Sequence, residues 1–248
     1  MGECFLCKSG GAPAGGLPVF SYTGDYEFLD DGDKNWRIKL LTSGTLNFSK
    51  LKTNVDVFLV GGGGAGGKRS DTYNPSGGGG GYTTTAKNVS ANTGTDYSIV
   101  VGAGGTEGQA GSASSAFSAS AAGGQPGNNN AYAAGGDGGS GGGSNGGGGS
   151  SYPGGNGGSD GSDGESTRSE GGKGQGTTTR AFGEADGELY AGGGGGQGSG
   201  GGAGGAGGGG AEGQSGQTNT GGGGGASKYA VGNTSGGSGI VIIRNTRG

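Results

Sequence analysis

Residues 53–67 read TNVDVFLVGGGGAGG, a strand signal that runs without a break into glycine. Alternate side chains of a strand share a face, so Val55, Val57 and Leu59 lie together, with Asp56, Phe58 and Val60 opposite. Both faces become apolar towards Val60, which predicts burial on both sides at that end. The next residues, Gly61–Gly67, have almost no side chain to bury.

Other strand signals surround this one. PVFSYT (18–23), DYEFL (25–29), NWRIKLLT (35–42) and GTLNFS (44–49) are rich in aromatic or β-branched residues. DDGDK between the second and third is a polar, glycine-containing turn and predicts a hairpin. YTTTAKNVS (82–90) and DYSIVVG (96–102) follow, and GIVIIRN (239–245) comes last. The unbroken IVII run predicts a central strand buried on both faces. Such a strand is expected to pair back with the N-terminal strands and close one domain around the glycine-rich sequence between. No helix is expected.

Composition removes whole classes. Glycine fills 78 of 248 positions, but with only 5 prolines and no Gly-X-Y period the chain is not collagen. At 27% apolar residues it cannot be one large globule around a single core. With 15 basic and 19 acidic residues, and arginines scattered outside the glycine runs, it lacks the basic stripe of a nucleic-acid binder. Histidine is absent, which removes the usual general base and the commonest metal ligand. The expectation is a non-enzymatic protein without cofactors. No run approaches the ~18 apolar residues of a membrane span. MGECFLCKSGGAPAGG at the start lacks a signal-peptide apolar stretch, so synthesis in a cytoplasm without standard export is expected. Cys4 and Cys7 form a single CxxC, which reads most simply as free thiols or a local disulfide, with an intersubunit metal site the alternative.

The chain divides into a tail (1–17), a β-sandwich (18–102 with 236–246) and a glycine-rich insertion (103–235). In its densest part, 135–226, the large apolar side chains are Tyr152, Phe182, Leu189 and Tyr190. Hydrophobic burial cannot offset the chain entropy of such a segment. It is either a disordered linker or a bundle of polyproline-II-like glycine helices, three residues per turn, joined by N–H···O=C and Cα–H···O=C contacts. Glycine runs of similar length alternate with polar insertions at 68–76, 125–132, 150–153, 159–170 and 211–220, which read as turns between rods. A buried strand after the last run favours the ordered bundle.

These residues carry a resemblance. DYEFLDDGDKNWRIKLLTSGTLNFSKLKTNVDVFLVGGGGAGG (25–67) is similar to the opening of a glycine-rich family of bacteriophages and prophages of Gram-positive bacteria. GQGTTTRAFGE (174–184), GELYAGGGGG (187–196) and GGSGIVIIRN (236–245) follow the same pattern, so it covers nearly the whole chain from Phe20. The resemblance implies a phage tail or tail-fibre protein, carried on the virion and touching the host surface. It implies other tail or fibre proteins as partners, with trimerisation one option for a fibre. Related tail-fibre tip adhesins stack polyglycine-II helices whose loops contact the receptor. The glycine-rich region of anaplastic lymphoma kinase also looks similar, which adds the expectation of a jelly-roll-like sandwich. The expected fold is all-β: such a sandwich with an inserted polyglycine-II bundle.

Receptor contact would fall on loops held by a rigid scaffold. Tyr73, Tyr132 and Tyr152 sit in polar insertions and offer a flat apolar face for sugar rings with a hydroxyl for hydrogen bonding; the plainer role is to shield the ends of the glycine rods. The expected partner is a host-surface glycan or protein. Asp160, Asp163 and Glu165 could offer oxygens to calcium, though without EF-hand spacing, and solvated decoration is the simpler reading. Asp30, Asp31 and Asp33 read as turn formers before calcium ligands. Phe28, Trp36 and Phe48 read as core before sugar platform. Val60–Gly67 with Lys68 imitates a phosphate loop without the helix it requires. No pair of carboxylates on a rigid cleft supports glycan cleavage. The alternatives to an adhesin are a fibre or decoration subunit with no receptor, and an ice-binding protein, which the irregular, charged insertions disfavour.

Overall fold

The computed structural model describes residues 16–68, 74–129, 134–144, 154–158, 161–165, 179–197, 201–227 and 233–247. Strands form where β-branched and aromatic residues cluster: β1 (Val19–Tyr22), β2 (Tyr26–Gly32), β3 (Asn35–Leu40), β4 (Gly44–Lys50), β5 (Val55–Val60), β6 (Thr83–Val89), β7 (Asp96–Val100) and β10 (Ile240–Asn245). β8 (Ser114–Ala116) and β9 (Ala119–Ala121) form a further hairpin. Two five-stranded antiparallel sheets result, sheet A in the order β1-β4-β7-β8-β9 and sheet B in the order β2-β3-β10-β5-β6. Among the described residues there is no α-helix, only a single 3-10 turn at Ala181–Gly183.

The predicted DDGDK hairpin joins β2 and β3. Asp33 and Lys34 have φ of 50° and 68°, and a two-residue hairpin turn that follows the strand twist needs positive φ at both central positions. β10 is the centre of sheet B, antiparallel to β3 on one side and β5 on the other. Its side chains and those of β5 sort cleanly. Val55, Val57, Leu59, Val241 and Ile243 face a core shared with Trp36, Leu46, Phe48 and Ile99, between the sheets. Phe58, Val60, Ile240 and Ile242 face a second cluster on the outer side of sheet B, with Ala181, Phe182, Tyr190 and Ala191. The expected two-sided burial is therefore met by glycine-rich sequence folding back onto the sheet.

The glycine segments continue the strands directly. Gly61, Gly64 and Gly67 donate their N–H groups to Tyr82, Gly79 and Ser76; Gly62 and Ala65 donate to Ser112 and Gln109; Gly63 and Gly66 donate to Gly237 and Thr234. A step of three residues thus returns to the same neighbour. The next segment repeats the rule: Ser76, Gly79 and Tyr82 donate to Asn128, Gln125 and Ala122, Gly77 and Gly80 to Gly143 and Ser140, Gly78 and Gly81 to Gly224 and Gly221. These bonds span 2.7–3.2 Å, the normal range. Neighbours run both ways: 221–227 lies parallel to 61–67, because Gly224 and Ser227 donate to Gly64 and Gly67.

Two expectations of the sequence reading change. The glycine layer is not confined to 103–235, because 61–67 and 76–82 lie within it. Nor does the β-structure of the N-terminal half stop at 102, because 114–121 adds β8 and β9 to sheet A. Strand and glycine segment alternate along the chain, so neither layer is a separate insertion.

Glycine is required here by close approach. A Cβ on Gly64 would meet the carbonyl oxygen of Gln125 at 2.0 Å, and one on Gly62 that of Ala103 at 2.0 Å. Both contacts are with backbone, which cannot swing aside. Gly108 differs: nothing stands within 4 Å of its would-be Cβ, and only its φ of +78° favours glycine. Gly64→Ala is therefore expected to cost about 3 kcal/mol or more by overpacking, against about 1 kcal/mol for Gly108→Ala from left-handed strain. Denaturant unfolding of both variants checks the order.

Candidate functional site

The chain's two ends of interest lie apart. At the base, Gly16 sits against Lys34 of the β2–β3 turn, and Arg247 pairs with Asp31. At the far end of the glycine segments, the tip, Gly67 donates to Ser76, and the Lys68 N–H donates to the Asn129 side chain at 2.6 Å. Ser76 Oγ and Asn128 Nδ2 both donate to the Ala134 carbonyl at 2.9 Å. Gly77 donates to Gly143, Gln197 to Pro75, Ser227 to Gly67, and Gly66 to Thr234. Residues 69–73, 130–133, 145–153, 198–200 and 228–232 lie outside the described residues, and those that flank them are gathered at this one end.

Tyr73, Tyr132 and Tyr152 lie outside the described residues, each in one of these intervals; Cys4, Cys7 and Asp160 lie outside them as well. Asp163 is described and acts locally, accepting the Gly157 N–H at 2.6 Å. The Glu165 carbonyl accepts from both the N–H and the hydroxyl of Ser144. Among the described residues no group of three or more His, Cys, Asp or Glu side chains could hold a metal ion. Asp30 accepts the Gly32 N–H in its turn, and Asp31 is held by the guanidinium groups of Arg37 and Arg247. Trp36 and Phe48 are buried and Phe28 packs against them, so the sugar-platform alternative fails for these rings. Each N–H from Gly61 to Gly67 already has a carbonyl acceptor, which leaves none to cradle a phosphate.

Residues 41–246 match a family described as a glycine-rich domain. The chain belongs to this family. The match begins just after β3, so it takes in β4 to β10 and all described glycine segments, and leaves β1 to β3 outside. No curated protein matches the chain.

What fastens the glycine-rich domain's two layers together is a short stretch, 179–191, that carries bulky residues in an otherwise glycine-rich sequence. Phe182 and Tyr190 lie 5.9 and 5.5 Å, centroid to centroid, from Phe58 of β5. Arg244 of β10 stacks 3.9 Å over the Phe182 ring and bridges buried Asp56 and the more exposed Glu184. Lys39 of β3 meets Glu188 at 2.9 Å, and Tyr190 donates its hydroxyl to the same carboxylate. Composition shows Phe182 and Tyr190 as the rare large residues of that stretch; their partner, the outer face of sheet B, appears only once β10 is placed beside β5.

This fastening has a pH signature. Burial pushes the Glu188 carboxyl up, but hydrogen bonds from Lys39 and Tyr190 and the charges of Lys39 and Arg37 outweigh it and hold the group below the ordinary range. Asp31 is likewise lowered overall: burial raises it, and Arg37 and Arg247 more than reverse that. Burial and the Glu188 charge push the Tyr190 hydroxyl well above its usual value. For a carboxylate lowered in the folded state, the stabilisation is complete above its unfolded pKa and is lost as pH falls through the folded one. With no histidine, stability is expected to be level from about pH 5 to 8 and to fall below about pH 4. Glu188→Gln should lose stability at pH 7 and show a shallower acid decline than the parent; thermal unfolding across pH measures both.

Proposed function

We propose that this chain is a non-enzymatic structural protein of a bacteriophage tail or tail fibre that binds a host-surface glycan or glycoprotein at the tip. The observation that carries this reading is the gathering of the residues flanking five intervals at one end of the glycine layer, opposite Gly16 and Arg247 at the base. Tyr73, Tyr132 and Tyr152 belong to three of those intervals, and sequence there can vary without disturbing the layer that holds it. The base would then join the rest of the virion while the tip faces the host.

The same proposal assigns the glycine segments to a polyglycine-II bundle. Support comes from the step of three by which each segment returns to the same neighbour, since this helix has three residues per turn. It comes also from the mixture of parallel and antiparallel neighbours, and from carbonyl contacts that leave no room for a Cβ. Rods of this kind give a rigid mount at low side-chain cost, which suits loops that must change with the receptor.

The purified chain, labelled and applied to panels of Gram-positive cells and to a glycan array, should bind a subset of hosts. Replacing Tyr73, Tyr132 and Tyr152 together by alanine should weaken that binding about 10-fold or more, since aromatic anchors dominate such contacts, with unfolding unchanged. Failure to bind any host, with the fold intact, returns the chain to a purely structural fibre or decoration subunit.

A further inference from the structure

The outer surface of sheet A and the glycine segments that extend it form one broad face with an unusual chemistry. β7 runs on into 103–106, β8 is entered from 109–113, and β9 runs on into 122–128. These segments stay side by side beyond the sheet: Gly111 donates to Gly124, Ser112 to Ala103, and Gly236 to Gly105. Gly216 donates to Ser235, which adds 214–217 at the flank. The glycine positions turned inward, such as Gly105, Gly124 and Gly127, are buried, while Ala103 and Thr106, and Ala122, Gln125 and Asn128, are exposed at every third residue. On the sheet, registered pairs continue the pattern, with Thr45 beside Ser98 and Ser115 beside Val100 and Ser120.

Alanine, serine, threonine, asparagine and glutamine supply most of this face's side chains, with Val100 exposed among them. Its charged side chains stand at the margins, Lys50 and Asp96 towards the base and Glu107 on the turn between two segments. The opposite side, over sheet B, is covered by 179–191 with its ion pairs. Depletion of charge is one compositional mark of the centre of a protein interface, and it is the one this face shares, since serine and alanine are not enriched there.

We propose that this face pairs with the same face of a second copy of the chain, related by a two-fold axis. Three features commit the occupant. A chain of net charge −4 associates with itself most readily through a face that carries no like charges to oppose one another. Hydroxyl and carboxamide groups are donors and acceptors at once, so an identical face can satisfy them, as a two-fold contact requires. The extent is sufficient: five elements ~4.8 Å apart and ~11 residues at ~3.2 Å each give ~24 by ~35 Å, on the order of 800 Å², about what one partner buries in a standard interface. This pairing is independent of what the tip binds, and it leaves both tips at the same or opposite ends according to the direction of the axis.

Sedimentation equilibrium of the full chain, with reductant present to exclude linkage through Cys4 or Cys7, tests the pairing. A dimer at micromolar concentration is expected, weakened little by salt because no ion pair holds it. Ser98→Lys with Gln125→Lys should weaken it about 100-fold or more, and Ser98→Glu with Gln125→Glu should do the same, because either charge must be desolvated in the contact. Both positions are exposed, so circular dichroism and melting temperature should match the parent. A monomer throughout the concentration range, a trimer, or a dimer indifferent to both pairs overturns the proposal.

Discussion

A buried peptide N–H must find an acceptor, and this chain meets that demand with backbone alone over long stretches. Where side chains are plentiful, β5 and β10 pair in a sheet and bury Val, Leu and Ile on one face, Phe58 and Ile242 on the other. Where side chains run out, at Gly61, the same chain direction continues, but hydrogen bonding turns from two neighbours to three. Most positions of that change require glycine, since carbonyl oxygens of adjacent segments occupy the space a side chain would need, while Ala65 keeps its methyl group buried within the same run. Glycine, which costs the most conformational entropy to order, is thus also the residue that makes the order attainable.

The two layers depend on each other. The outer face of sheet B would expose Phe58, Val60, Ile240 and Ile242 if 179–191 did not cover it. That stretch is held in turn by Arg244, Asp56, Lys39 and the aromatic contact of Phe182 and Tyr190 with Phe58. Arg244 is the centre of this fastening: a buried guanidinium against Asp56 is costly to strand, and its two further contacts are made by the glycine-rich sequence itself. Because β10 is last in sequence and central in sheet B, the β layer is completed only after the sequence of the glycine layer has been traversed.

Much of this was legible in the sequence, for identifiable reasons. Two-faced apolarity placed β5 and β10 in a sheet centre, and DDGDK marked the β2–β3 turn. The β8–β9 hairpin has no clear sequence signal, because SSAFSAS has little β-branched character and owes its pairing to its neighbour β7. Phe182 and Tyr190 were visible as rare bulky residues, yet their role depends on a surface created by residues 50 or more positions away. The gathering at one tip of the residues that flank five intervals could not be read from spacing, since it depends on whether each glycine segment runs towards the sheets or away from them. Sequence placed the three tyrosines in such intervals; their geometry lies outside the described residues.

The fold rests on glycine segments that form a hydrogen-bonded layer as ordered as the sheets. Amide hydrogen exchange at Gly61–Gly67, Gly77–Gly81 and Gly221–Gly225, compared with β5 and β10, tests it most directly. Slow exchange is expected in all of these glycines, approaching that of Phe58 and Ile242, because each donated N–H is buried among neighbours. Exchange at the rate of an unstructured chain in the glycines, while β5 and β10 stay protected, would contradict it.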